Sequence, residues 1–249
     1  MFITTAMSFS IFIDGEAGTT GLKVATRLQA HPHVQLLRID EKYRKDMTAR
    51  ADMMAASDVT ILCLPDDAAT EAASLAHAVD VTLIDASSAH RTSEGWVYGF
   101  AEMQPDQRAA IAAAKRISNP GCYPTGFLAL ARPLILSGLL ADDALLTVPA
   151  VSGYSGGGKA MIAAHDSASL APSFAYSTGL KHKHLAEMTH HAGLMTPPIF
   201  MPSVGAFYAG MLVHLPLHAD QFATPVTANI LYDLYANWYR GTGMVRMGA

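Results

Sequence analysis

The feature that most constrains the fold of this chain is an apolar run followed at once by a glycine-rich turn. "FSIFID" (9–14) predicts a buried strand of a parallel sheet, and "GEAGTTG" (15–21) follows it. Helical periodicity then begins in "LKVATRLQA" (22–30). In such a unit the helix N-terminus and the close-approaching glycine backbone hold a pyrophosphate. An ordinary strand-to-helix turn is the alternative interpretation.

The pattern that follows favours the dinucleotide site, because strands and helices keep alternating. Further strands are predicted at 34–39, 58–65 and 81–85, and a short extended piece at 115–118. The predicted helices span 66–78, with acidic residues in the first turn, and 105–114. This alternation predicts a parallel sheet with right-handed crossovers, in a Rossmann-type α/β domain over residues 1–118.

The texture changes after residue 118. A helix over 125–138 is expected to be bent or interrupted at Pro133, and "ALLTVPAVSGYSGGGK" (144–159) predicts a strand that runs into a glycine-rich loop. Alternation and prolines in 197–217 favour antiparallel edge strands, and 226–240 is an amphipathic helix. We therefore expect a second domain over 119–249 with a mixed α+β, largely antiparallel fold.

Composition narrows the function classes. Of the 249 residues 51% are hydrophobic and 15% charged, and the net charge of −4 gives no sign of a nucleic-acid surface. No apolar run approaches the roughly 20 residues of a membrane span, and the N-terminus lacks the cations of a signal peptide. Two cysteines without a Cys-x-x-Cys pair indicate a reducing compartment, so we expect a cytoplasmic protein.

The predicted cofactor site has a glycine cradle and a choice of ribose contacts. The cradle consists of Gly15, Gly18 and Gly21, with Thr19 and Thr20 as hydroxyl donors. Near the end of the second strand, Asp40 suits the ribose hydroxyl of NAD. Three cations suit the 2′-phosphate of NADP instead: Arg38, Arg44 and Lys45. These cations favour NADP without excluding NAD.

The two cysteines have different surroundings. Cys63 lies in "ILCLP", inside a predicted strand, and is interpreted as a small core residue. Cys122 follows Asn-Pro-Gly and opens a predicted helix, where the dipole and local N–H groups stabilise a thiolate. We interpret Cys122 as a nucleophile; a packed turn cysteine is the alternative.

A histidine-rich stretch, "KHKHLAEM" (181–188), offers a base for this thiol. His182 and His184 are both candidates, and periodicity does not choose between them. Glu187 would orient one of the two rings. A metal site formed by His184, Glu187 and His191 is the alternative, but the chain lacks the H-E-x-x-H spacing, so we predict no metal.

Several motifs together resemble one family, the N-acetyl-gamma-glutamyl-phosphate reductases, and in particular their shorter bacterial form. The motifs are "FIDGEAGTTGL", "DASSAHR", "GFAEM", "SNPGCYPT", "VSGYSGGGK" and "KHKHLAEM", in the family's order over most of residues 9–217. Wider relatives are aspartate-semialdehyde dehydrogenase and glyceraldehyde-3-phosphate dehydrogenase. The combination of "NPGCYPT" with "SGGGK" is far more specific than the glycine triplet.

The resemblance implies a reaction. Cys122 would attack an acyl phosphate, expel phosphate and form a thioester, which NADPH reduces to N-acetyl-glutamate 5-semialdehyde in arginine biosynthesis. His182 matches the family's acid/base, with Glu187 as its orienting partner. Arg91 suits the substrate phosphate, and Asn119 supports the cysteine loop. Further residues expected at the site are Ser155, Gly156 and Lys159 near the substrate, and Ser87 and Ser88 near the cofactor.

The resemblance also implies a homodimer or homotetramer that forms through the second domain's sheet. The family's sequences continue past the helix at 226–240 with more strands and a helix that touches the cofactor. We expect either an incomplete sequence or a shortened protein. In a shortened protein the cysteine chemistry would be retained and hydride transfer would be impaired. Two other functions fit the residues: a cysteine acyltransferase or hydrolase, and a non-catalytic NADP-binding sensor.

Overall fold

The structure is a computed structural model that describes residues 8–167, 169 and 171–248, with Thr19 described through its backbone alone. The chain forms two compact units. The first contains residues 8–99 and 110–119, and the second contains residues 100–109 and 120–248. The sequence predicts a division between residues 118 and 119, and it gives no sign that residues 100–109 belong to the second unit.

The first unit is built on a parallel sheet. Its strands are β1 (Phe9–Asp14), β2 (Val34–Leu37), β3 (Val59–Leu62), β4 (Thr82–Asp85), β5 (Val97–Tyr98) and β6 (Arg116–Ser118). They lie in the order β2-β1-β3-β4-β6-β5, and every pairing among them is parallel. The predicted Rossmann-type sheet is confirmed, and its strand ends deliver the glycine turn and the "DASSAHR" loop.

Helices cover the faces of this sheet. They are α1 (Thr19–Gln29), α2 (Met47–Ala55) and α3 (Asp66–Leu75); α4 (Gln107–Ala113) follows β5. One core cluster joins Phe12, Leu62 and Leu83 of the strands to the alanines of α3. Small alanines allow α3 to approach the sheet closely, which explains why an alanine-rich segment buries one face of a helix here.

The second unit combines four helices with a mixed sheet. The helices are α5 (Cys122–Leu136), α6 (Gly158–Asp166), α7 (His184–Ala192) and α8 (Ala228–Trp238). The strands are β7 (Thr147–Gly153), β8 (Ser173–Ala175), β9 (Ile199–Gly205) and β10 (Met211–Val213), in the order β10-β7-β9-β8. None of the helices described in the chain has the length and apolar character that a membrane crossing needs.

Two details of this unit differ from the sequence-based expectation. The strand β9, in the segment predicted as an antiparallel edge, lies inside the sheet and pairs parallel to β7. The long connection through α6, β8 and α7 provides the crossover that a parallel pair requires. The helix α5 is not interrupted at Pro133. Proline cannot donate to Ala129 O, and the Tyr239 hydroxyl donates to that carbonyl instead, at 2.7 Å.

Candidate active site

Cys122 is the first residue of α5, and it is exposed. Gly121 caps the helix without a side chain, and its N–H donates to Glu187 Oε2 at 3.0 Å. Thr125 closes the first turn by donating from both its N–H and its hydroxyl to Gly121 O. The Asn-Pro-Gly sequence thus ends in a fixed helix start, where the positive end of the dipole favours an anion on the thiol.

The carboxylate that holds this loop comes from α7 and is almost completely buried. Glu187 is 1% exposed, and its Oε1 lies 3.8 Å from His184 Nε2. The expected partner of this carboxylate is His182, whereas the structure places it against His184 and the cysteine loop. Within the described part of the chain, no three His, Cys, Asp or Glu side chains gather as metal ligands.

His182 lies just before α7 and is half-buried. Its Nδ1 accepts a hydrogen bond from His184 N at 3.1 Å, so the neutral ring carries its proton on Nε2. Burial lowers the pKa of His182, and the positive charge of Lys183 lowers it further. The ring is therefore neutral near pH 7 and presents an N–H donor. The Phe200 ring lies 5.2 Å away, centroid to centroid.

Tyr176 is a member of this group that the sequence analysis missed. Its ring lies 5.8 Å from that of His182, and it interacts with Tyr123 and with the charge of Cys122. Burial raises the pKa of Tyr176, and the neighbouring Tyr123 and Cys122 raise it further, so the hydroxyl keeps its proton. Only its position six residues before His182, after a short strand, marks it in the sequence.

The glycine-rich loop "SGGGK" follows β7 directly. Ser155 and Gly156 lie in a 3₁₀ turn over 154–157, and Lys159 is exposed in the first turn of α6. The Tyr154 ring stacks on His165 at 3.7 Å, and Ser155 N donates to Tyr208 O at 3.0 Å. These contacts anchor the start of the loop, and the predicted substrate contacts of Ser155, Gly156 and Lys159 remain predictions.

The first βα turn of the first unit fits a dinucleotide pyrophosphate. Gly15 has φ +89°, and a Cβ there would lie 2.4 Å from Cys63 O. A Cβ on Gly21 would lie 2.5 Å from Gly15 O, while Gly18 N donates to that same carbonyl at 3.0 Å. Only glycine permits this close packing of the turn. Thr20 is exposed at the start of α1; the Thr19 side chain lies outside the described residues.

A cavity of about 460 Å³ opens beside this turn. Its lining includes Gly15, Glu16, Arg38 and Arg44, whereas Asp40 is not part of the lining. The Asp40 side chain accepts from Lys42 N at 3.3 Å and caps a 3₁₀ turn. The cations at the cavity suit the ribose 2′-phosphate of NADP, although the Glu16 carboxylate in the same lining lies 3.6 Å from Arg38 Nε, and the choice of NADP over NAD remains a prediction.

A buried ion pair supports the floor of the same cavity. Asp14, at the end of β1, accepts from Arg50 Nη2 at 2.7 Å and from its Nε at 3.1 Å. Burial raises the pKa of Asp14, and the Arg50 guanidinium opposes that change. The sequence gives no sign of this pair, because Arg50 lies in α2, 36 residues further along the chain.

The "DASSAHR" loop at the end of β4 is held by carboxylates. The Ser87 hydroxyl donates to Asp85 Oδ2 at 2.7 Å, and the Ser88 hydroxyl donates to Asp66 Oδ2 at the same distance. His90 Nδ1 lies 2.7 Å from Asp85 Oδ2. Both hydroxyl protons are engaged by carboxylates, one in the loop and one at the start of α3, so cofactor contacts through Ser87 and Ser88 remain predictions.

Arg91 and Asn119 meet at the carboxyl ends of β4 and β6. Arg91 is 9% exposed; its Nε donates to Asn119 O at 3.0 Å and its Nη2 to Ala86 O at 3.4 Å. Asn119 N donates to Asp85 O at 2.7 Å. The backbone of Asn119 is thus fixed on both sides, and its support of the cysteine loop remains a prediction. A phosphate contact by Arg91 remains a prediction.

Comparison with known sequences assigns the family. The family described as "Semialdehyde dehydrogenase, NAD binding domain" matches residues 10–111, and "Semialdehyde dehydrogenase, dimerisation domain" matches residues 122–249. The N-acetyl-gamma-glutamyl-phosphate reductase of Trichormus variabilis is 48% identical over 96% of this chain and 77% of its own. The reductase of Rhizobium etli is also 48% identical, over 96% and 79%. The chain belongs to the N-acetyl-gamma-glutamyl-phosphate reductase family.

Solved structures share the fold of this family at lower identity. A probable aspartate-semialdehyde dehydrogenase from Pseudomonas aeruginosa has a TM-score of 0.65 at 15% identity, over 92% of this chain and 78% of that one. Aspartate semialdehyde dehydrogenase with NADP from Candida albicans has a TM-score of 0.62 at 12% identity, over 91% and 75%. These similarities confirm the combination of a Rossmann-type sheet with a mixed sheet.

Proposed function

We propose that this protein reduces N-acetyl-gamma-glutamyl phosphate to N-acetyl-glutamate 5-semialdehyde with NADPH, releasing phosphate, in arginine biosynthesis. The observation that carries the proposal is the exposed Cys122 at the start of α5, whose loop is bonded to Glu187. This arrangement occurs in a chain that is 48% identical to reductases of that name.

The chemistry begins at the thiolate of Cys122. The sulfur forms a bond to the acyl carbon, the carbonyl electrons move to oxygen, and their return breaks the C–O bond to phosphate. The acyl group is then held on Cys122 as a thioester, which retains an electrophilic carbonyl without the charge of phosphate. Splitting the reaction in this way replaces one difficult displacement by two easier steps.

His182 stabilises the negative oxygen that forms in the second half of the reaction. When NADPH is bound, it supplies the hydride that reduces the thioester carbon. His182 Nε2–H donates to the oxygen, which becomes negative as the carbon is reduced. The electrons on that oxygen then re-form the carbonyl and the C–S bond breaks, giving the aldehyde and the thiolate of Cys122, while Nε2 keeps its proton. The Tyr176 ring packs against the His182 ring and helps to hold it in place, while the Tyr176 hydroxyl is hydrogen-bonded to Tyr123.

The cofactor is held by the first unit. The N–H groups at the Gly15–Gly21 turn and the N-terminus of α1 take the pyrophosphate, and Arg38 and Arg44 take the 2′-phosphate. Arg91 and Lys159 bind the substrate phosphate, because guanidinium and ammonium groups are suited to a phosphate. Asn119, Ser155 and Gly156 complete the substrate site.

The protein acts in the cytoplasm as a homodimer that forms through the outer face of the second unit's sheet. Ile199, Met201 and Leu212 are 49%, 55% and 55% exposed on this face. Pro149 lies beside Met201 in register, and Val151 beside Leu212. The match of residues 122–249 to a dimerisation domain supports a second copy as the occupant of this apolar face.

A charge on this face tests the dimer. Met201→Glu is expected to give a folded monomer, because an unpaired carboxylate would be buried against the second copy. Light scattering after size exclusion measures the mass, and circular dichroism checks the fold. Met195→Glu is the matched control: Met195 is 73% exposed in the loop before β9, and its replacement should leave a dimer. A Met201→Glu dimer would contradict the proposed interface.

The activity is tested most directly in the reverse direction. Oxidation of N-acetyl-glutamate 5-semialdehyde should need phosphate and proceed faster with NADP than with NAD. A cysteine acyltransferase or hydrolase would form acyl-enzyme without ever changing NADPH absorbance. A non-catalytic sensor would bind NADP and keep its function after Cys122 is alkylated. Either result would contradict the proposed reductase activity.

A further inference from the structure

The turn that joins Tyr176 to His182 has a strained backbone. Ser177 and Leu180 both have φ +53°, in the left-handed region that residues with a Cβ rarely adopt. Leu180 N donates to Ser177 O at 3.2 Å and closes the turn. Gly179 lies inside this turn without a positive φ. The glycine is therefore not placed where its conformational freedom would relieve the strain.

Packing does not account for the strain at Leu180. Its side chain is 47% exposed, so Leu180 is not a core residue whose burial would force the backbone into this conformation. The space around the turn is open, since a Cβ on Gly179 would meet nothing within 4 Å. A strained backbone persists where the surrounding structure fixes both of its ends, and such segments cluster at functional sites.

Both ends of the turn are fixed at the cysteine site. Tyr176 N donates to Pro202 O at 3.1 Å, which continues the pairing of β8 with β9. His182 Nδ1 accepts from His184 N, and His182 O accepts from Leu185 N at 3.0 Å. Between these two anchors the rings of Tyr176 and His182 stand 5.8 Å apart at 63°.

We propose that the strained turn over residues 177–180 holds the His182 ring against the Tyr176 ring, so that His182 Nε2–H meets the reacting oxygen, with Ser177 and Leu180 as positioning residues. The inference rests on the proposed function of the cysteine site. A relaxed turn would leave each side chain present but free to move relative to the other. A displacement of the His182 ring by the order of 1 Å is enough to slow a reaction that depends on a positioned donor.

The test compares two substitutions at one position, in the full-length chain. Leu180→Gly removes the strain and frees the backbone, so kcat should fall roughly tenfold while KM for the acyl phosphate stays unchanged. The melting temperature should stay level or rise by about 2 °C, because glycine tolerates positive φ. Leu180→Ala keeps the strained backbone without the leucine side chain, and its kcat should stay within about twofold of the original.

Gly179→Ala is a further control, expected to leave kcat and melting temperature unchanged, since its φ is not positive and its Cβ has room. Full kcat in Leu180→Gly would overturn the inference, as would an equal loss in Leu180→Ala, or a lower melting temperature in Leu180→Gly. A different result would contradict the proposed function, namely that Cys122→Ala still turns over the substrate.

Discussion

The two cysteines of this chain lie in regions with opposite effects on the ionisation and exposure of a thiol. Cys63 directly follows β3, half-buried against the apolar cluster of β1 and α1. Burial raises its pKa to about 11, and the carboxylates of Asp85 and Asp14 contribute. Cys122 stands exposed at the start of α5, beside a helix dipole and a carboxylate-anchored loop. One region suppresses the thiolate, and the other leaves it accessible to a substrate.

The difference shows that the chemistry depends on the neighbours of each sulfur. The backbone around Cys63 serves the cofactor turn, because Gly15 packs on Cys63 O. The backbone around Cys122 serves the reaction, because Gly121 is bonded to Glu187 of α7, the helix that His182 precedes. Four pairs of substitutions test this contrast.

The largest expected effect is at Cys122. Cys122→Ala should lower turnover by at least about 10⁴-fold, because the acyl group then has no sulfur to bind. NADP affinity should stay near the original value, since the cofactor residues are in the first unit. Cys63→Ala is the matched control and should keep most of the activity. Steady-state kinetics and fluorescence titration measure the two quantities; equal losses in both variants would contradict the contrast.

The next effect concerns the acid/base. His182→Asn should slow turnover by roughly 10²–10⁴-fold, the usual contribution of a positioned proton donor. His184→Asn, at the neighbouring buried ring, should cost less, since His184 acts through Glu187 and through its N–H bond to His182. Stopped-flow measurement of hydride transfer separates the two. A larger loss in His184→Asn would assign the acid/base to His184.

A smaller effect is expected at the cofactor turn beneath Cys63. Gly15→Ala imposes strain of about 1–3 kcal/mol at positive φ, and its Cβ would lie 2.4 Å from Cys63 O. KM for NADPH should rise roughly tenfold, while iodoacetamide still alkylates Cys122 at the original rate. Gly95→Ala is the control, because Gly95 has φ +79° with nothing within 4 Å of its Cβ. Unchanged KM in Gly15→Ala would argue against the cradle.

The sequence predicts most of the first unit and only part of the site. Strand, glycine turn and alternation depend on local patterns, so β1, α1 and the parallel sheet follow from them. The parallel pairing of β9 and the unbroken α5 depend on distant partners, such as Tyr239 for the carbonyl below Pro133. The interaction of Tyr176 with Tyr123 and the Glu187–Gly121 hydrogen bond join residues that are far apart in the chain. The second spans 66 positions, and no spacing rule reveals either contact.

The smallest effect is a change in pH dependence. Burial lowers the pKa of His182, and Lys183 lowers it further. The neutral ring is the active form, so activity falls as the pH drops through this lowered pKa. Lys183→Ala should raise the pKa and move the acid limb of kcat/KM to higher pH. Lys181→Ala, at an exposed position on the same segment, is the control that should leave the limb in place. A shift to lower pH would contradict this assignment.

The measurement that tests the account most directly is mass spectrometry of the protein mixed with N-acetyl-gamma-glutamyl phosphate in the absence of NADPH. We expect one acyl group per chain, with phosphate released in equal amount, and peptide mapping should place it on Cys122. Addition of NADPH should then remove the acyl group as the semialdehyde. An unmodified Cys122, or an acyl group that maps to Cys63 or to another side chain, would contradict the central claim.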